Sequence, residues 1–155
     1  MNTVSQTELL DLFITAESRC GELYALFAAT PGEHRELWEK MAADEKRHAA
    51  VLQELSLMVA AGEASFGERE MRTDVMKMFL DYVDVLASEA RNGKIPQERA
   101  LWITVDIERS YIERKTLNHF EGDTPAVAEA LEVLREESFR HASEAEMAWL
   151  AARSR

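Results

Sequence analysis

Cysteine is almost absent from this 155-residue chain, where Cys20 stands alone. That excludes a disulfide framework and a four-cysteine iron centre within the chain. Basic residues are also in deficit. Eighteen Lys and Arg face 29 Asp and Glu, a net charge of −11 with no basic stripe. This argues against nucleic acid and anionic membranes as partners. No stretch approaches a membrane span of roughly 18 uninterrupted apolar residues. The segment Met1-Asn2-Thr3-Val4-Ser5-Gln6 has no basic region leading into an apolar run. No signal peptide is therefore evident, and a cytoplasmic location is expected. Strand signals are nearly missing as well. What the chain does have is 46% hydrophobic residues, enough to argue against disorder and for one domain over residues 1–155 with its own core.

The hydrophobic residues recur at helical spacing. Ser5-Gln6-Thr7-Glu8 reads as a capping box, followed by Leu9, Leu10, Phe13, Ile14, Glu17, Gly21, Tyr24 and Phe27. A helix is expected over 6–29. Thr30-Pro31-Gly32-Glu33 reads as a second start, with Thr as cap and Pro in the first position. That helix is expected over 31–61, stopped at Gly62. Residues 62–71 read as a loop, and 73–91 as a further helix closed by Asn92-Gly93. The pattern then predicts helices over 96–120 and 125–153, opened by Pro96 and by Thr124-Pro125. The first two helices and the last two thus form two related hairpins.

If the hairpins meet about a two-fold axis, the chain must travel back along the bundle between them. The 73–91 helix spans roughly 28 Å at about 1.5 Å per residue, the length such a crossover needs. The expected fold is all-α, a four-helix bundle with a long crossover that contains an additional helix. The crossover helix has a broad apolar face of Val75, Met78, Phe79, Tyr82, Val83 and Leu86, with Met76 and Val85 beside it. One groove would not cover all of it, so a homodimer is expected.

Polar residues interrupt these apolar stripes at one depth. Trp38, Met41, Glu45, His48, Leu52 and Leu55 share a face, and so do Leu131, Leu134, Ser138, His141 and Ala145. Glu17 falls between Phe13 and Tyr24, and Glu108 between Val105 and Ile112. Arg47-His48-Ala49 recurs as Arg140-His141-Ala142, but the place of Glu45 is taken by Ser138. Carboxylates on an inward face are costly without a cation. A divalent metal is the natural counter-charge, and imidazole with carboxylate suits iron, manganese or zinc. A lone Glu-x-x-His carries little weight in a chain this rich in Glu. The weight lies in the joint pattern of Glu17, Glu45, His48, Glu108 and His141.

That pattern resembles the ferritin-like superfamily, and rubrerythrin-type domains in particular, over nearly the whole chain. The resemblance rests on Ala16-Glu17 with Tyr24 further on, on Asp44-Glu45-Lys46-Arg47-His48-Ala49, and on Ile107-Glu108 followed by Glu136-Glu137-Ser138-Phe139-Arg140-His141-Ala142. It implies a dinuclear iron site, with peroxidase, oxidase or iron-oxidising activity and an external electron donor. By that analogy Glu17 and His48 are terminal ligands of one metal, Glu45 is a bridge, and Glu108 and His141 serve the second metal. Ser138 departs from the family pattern, which has Glu there, and the rubredoxin module of rubrerythrins proper is not in this sequence.

Glu137 and Glu144 are candidate substitutes for the missing carboxylate, against the plain reading of both as surface acids. Tyr24 and Tyr111 could orient ligand carboxylates or be ordinary core tyrosines. Cys20 reads as a buried thiol, and His34 and His119 as surface residues. Three functions compete: an iron-dependent oxidoreductase reducing peroxide or dioxygen, a mononuclear metal-binding or iron-handling protein, and an interaction bundle whose site has decayed.

Overall fold

The computed structural model describes residues 6–64, 73–110 and 125–154. Among these the chain is all-helical, with five helices and no strand. They are α1 (Gln6–Ala29), α2 (Arg35–Ala60), α3 (Thr73–Arg91), α4 (Gln97–Glu108) and α5 (Pro125–Arg153). No helix among the described residues is long and apolar enough to cross a membrane.

Glycine ends α2 and α3 in the same way. Gly62 and Gly93 take φ of 75° and 68°, a region that costs other residues energy. Each closes a turn in which the next amide reaches five residues back: Glu63 to the Met58 carbonyl and Lys94 to the Glu89 carbonyl. Both stops match the sequence pattern.

The start of α2 does not. The helix begins at Arg35, four residues after Pro31. Thr30 turns back to close α1: its hydroxyl donates to the Leu26 carbonyl at 3.1 Å and its amide to Phe27 at 3.1 Å. A threonine hydroxyl can bond four residues back as well as cap forward, and here the preceding helix takes it. The 30–34 turn is instead held by α4, where the Gln97 side chain accepts from the Glu33 amide at 3.0 Å. α4 is also shorter than its sequence pattern. It ends at Glu108, with the Ser110 amide tightened onto the Ile107 carbonyl. The remainder of the expected 96–120 helix, from 111, lies outside the described residues.

α1 is the organising element. It packs along α2, along α3 and against α4, while α5 packs on α4 and touches α2. Gly21 permits the closest approach of α1 to α2: a Cβ there would sit 3.3 Å from Glu45 Cβ. Leu10, Phe13, Leu23, Tyr24, Phe27, Trp38, Met41, Leu52, Met76, Leu101 and Ile107 are buried completely or nearly so. Each large side chain so buried contributes roughly 1.5–3 kcal/mol. The Trp38 indole donates to the Thr104 hydroxyl at 3.1 Å, which itself donates to the Ala100 carbonyl. The broad apolar face of α3 is covered only in part: Met76, Phe79, Leu80, Val83, Leu86 and Ala87 are buried, while Met78, Tyr82 and Val85 face outward. Packing follows the 3–4 spacing that starts at Met76.

Candidate metal centre

The inward stripe of α2 carries Glu45 and His48 into the core one turn apart, between Met41 and Leu52. α1 supplies Glu17 from the same stripe as Phe13 and Tyr24, and α4 supplies Glu108 at its last residue. α5 supplies His141 from the stripe that buries Leu131, Leu134, Ser138 and Ala145. All five side chains predicted as ligands are at most 3% exposed. The fold gathers them into two groups, Glu17–Glu45–His48 and Glu45–Glu108–His141, whose ligand-type atoms lie within 4.8 Å of one another in each group.

Glu45 belongs to both groups, and its two oxygens divide between them. Oε2 lies 3.5 Å from His48 Nδ1 and Oε1 lies 3.1 Å from His141 Nδ1. Glu17 Oε2 is 3.8 Å from His48 Nδ1, and Glu108 Oε1 is 3.3 Å from His141 Nδ1. The two imidazoles are stacked, 6.0 Å between centroids at 24°. Tyr24, as the sequence allowed, donates its hydroxyl to Glu108 Oε1 at 2.8 Å and fixes that carboxylate. Tyr111 lies outside the described residues, as does His119.

The outward imidazole nitrogens are held by carboxylates that the sequence pattern did not reveal in this role. His141 Nε2 meets Asp44 Oδ2 at 2.9 Å, and His48 Nε2 meets Glu137 Oε2. The exchange is reciprocal: Asp44 on α2 holds the histidine of α5, and Glu137 on α5 holds the histidine of α2. Each carboxylate stands four residues before the histidine of its own helix. That shared offset, beside the repeated Arg-His-Ala, is the signal that could have found them. Arg47 joins both, at 2.7 Å to Asp44 and 3.0 Å to Glu137, and Arg140 lies 3.8 Å from each. Glu137 is therefore engaged on the outer side of His48 and belongs to neither inner group. Glu144 lies 3.9 Å from Lys40 and 4.0 Å from Arg140, and is also absent from both groups. Neither substitute fills the place of the missing carboxylate. Of the other residues weighed, Cys20 is buried, and His34 is half-buried with its ring edge-on to Trp38.

Burial, with the Glu45 carboxylate beside it, pushes the Glu17 carboxyl up to about 8. Burial opposes the charged form of His48, yet Glu17 and Glu45 outweigh it and push the imidazole up to about 11. Burial is likewise overcome at His141, where Glu108 and Glu45 push it to about 11. The outer carboxylates go the other way. Partial burial opposes ionisation of Asp44 and Glu137. His141 with Arg47, and Arg47 with His48, respectively, still hold them below the usual carboxylate range.

Four inner atoms remain buried without a hydrogen-bond partner among the described residues: Glu17 Oε2, Glu45 Oε2, His48 Nδ1 and Glu108 Oε2. Such atoms cost about 1–3 kcal/mol each when nothing satisfies them. Oxygen and imidazole nitrogen around one buried volume fit a divalent cation of the iron, manganese or zinc type. No protein-family profile, curated protein or solved structure matches the chain.

Proposed function

We propose that this chain is a ferritin-like, rubrerythrin-type metal-binding protein. In this reading α1, α2, α4 and α5 are the four helices of the bundle and α3 is its crossover helix. The packing of α1 on α2, of α4 on α5 and of α3 along α1 supports it. Glu17, Glu45 and His48 would hold one ion, and Glu45, Glu108 and His141 a second. The observation that carries the proposal is the sharing of Glu45 between two buried groups, each completed by one histidine and one further glutamate.

Iron bound here would supply the electrons for reduction of peroxide or dioxygen, drawing in turn on an external electron donor. The chain's own residues would do the rest. Asp44 and Glu137 fix both rings with Nδ1 inward, and raise their basicity as ligands. Tyr24 orients Glu108. The apolar side chains above and below exclude bulk water. The exposed Met78, Tyr82 and Val85 of α3 support a homodimer as part of the same proposal.

The absence of a carboxylate at Ser138 favours a second reading, in which one ion is held by Glu17, Glu45 and His48. Metal analysis after anaerobic loading separates the two. The dinuclear reading expects about two ions per chain and the mononuclear one about one. Glu45→Ala should abolish tight binding in either case, because Glu45 serves both groups. Unchanged metal content in Glu45→Ala would remove the site from consideration.

A further inference from the structure

Charge and the chain's internal repeat single out one position of this centre. The outer shell is balanced within itself, with Asp44 and Glu137 against Arg47 and Arg140. The inner groups contribute the carboxylates of Glu17, Glu45 and Glu108 with two neutral imidazoles as ligands. Three negative charges against two divalent ions leave one positive charge among residues that are at most 3% exposed. An uncompensated charge in such surroundings is costly.

The position itself is marked by the chain's internal repeat. Glu45 stands one turn before His48 on α2, and Ser138 one turn before His141 on α5. Ser138 is 3% exposed, in the same inward register as His141. Its side chain is shorter than that of Glu by about the size of a formate ion. Glu137 and Glu144, the neighbouring acids of α5, are engaged elsewhere.

We propose that, with two divalent ions in place, the centre takes a small external monocarboxylate of formate size at the position vacated by Ser138. This rests on the dinuclear reading. The anion supplies the missing charge and the missing donor atoms together. Binding of the second ion and binding of the anion are then linked, each strengthening the other by the same factor.

The test uses the full chain, Mn(II) and formate in a carboxylate-free buffer, read by equilibrium dialysis and by the relaxation of 13C-formate. Formate should tighten the second Mn(II) by about tenfold or more. Its 13C line should broaden with the loaded protein well beyond the broadening that the same free Mn(II) gives without protein. In Ser138→Glu the second ion should bind tightly without formate, and that excess broadening should vanish. The wild-type titration stands alone if that variant does not fold. Two ions bound equally well with and without formate would overturn the inference, with water or hydroxide completing the site. One ion bound, insensitive to formate, would overturn it too and leave the mononuclear reading. No Mn(II) bound under any condition would overturn the metal reading itself.

Discussion

Loading the proposed centre with metal should expel protons, and the number is set by the electrostatics of its own side chains. At pH 7 the metal-free chain holds a proton on Glu17, whose carboxyl titrates at about 8, and an extra proton on each of His48 and His141, which titrate at about 11. A metal ligand must give these up. Two ions therefore displace about three protons near pH 7, and one ion at the Glu17–Glu45–His48 group about two. Ordinary values of 4.5 for the carboxyl and 6.5 for the imidazoles would release under about one in total. The overall affinity for two ions should rise on the order of a thousandfold per pH unit around neutrality, since three protons are exchanged. Above pH 8 Glu17 has already lost its proton, so the release falls to about two. Calorimetric titration with Mn(II) in buffers of different ionisation enthalpy counts these protons directly. Release near zero at pH 7, with ions bound, would show that the imidazoles are neutral in the empty site and refute the electrostatic account.

The same groups govern the stability of the metal-free chain. Glu17 is raised from 4.5 to about 8, so its contribution is complete below pH 4.5 and lost as pH rises through 8; those of His48 and His141 are complete below 6.5 and lost towards 11. Chemical denaturation should therefore find the metal-free protein markedly less stable at pH 9 than at pH 6, because all three groups lose contribution over that interval; a flat profile would contradict it. Asp44→Asn and Glu137→Gln should each weaken metal binding by about 10–100-fold while leaving the inner ligands in place. Equal affinities in dialysis would show that the outer carboxylates do not position the histidines. Gly21→Ala gains roughly 1 kcal/mol of helix propensity but sets a Cβ 3.3 Å from Glu45 Cβ. Its melting temperature should change little while metal affinity falls several-fold, and the opposite pattern would mean that the approach of α1 to α2 does not place Glu45.

Helical periodicity was legible where a stripe is continuous. On α2 every residue of the expected face, from Trp38 to Leu55, is buried, and on α5 the face from Leu131 to Ala145 is too. The stops at Gly62 and Gly93 were legible because positive φ restricts the choice of residue. The gathering of Glu17, Glu45, His48, Glu108 and His141 was legible because a polar residue on an apolar stripe is conspicuous. Thr30 was misread because a hydroxyl can serve the helix behind it as well as the helix ahead. The breadth of the apolar face of α3 was legible, but which part of it is covered was not: Met76 is buried and Met78 exposed, and only packing against α1 decides between them. Asp44 and Glu137 were hidden for a different reason. Each is an acid beside a basic residue on a helix flank, and only the placement of α2 beside α5 makes it the partner of the opposite histidine.

The central claim is that Glu45 is shared by two metal-holding groups. Anomalous scattering from crystals grown with Mn(II) tests it most directly. The expected map has one peak among Glu17, Glu45 and His48 and a second among Glu45, Glu108 and His141. Peaks confined to surface acids, or no peak within reach of Glu45, would contradict the claim.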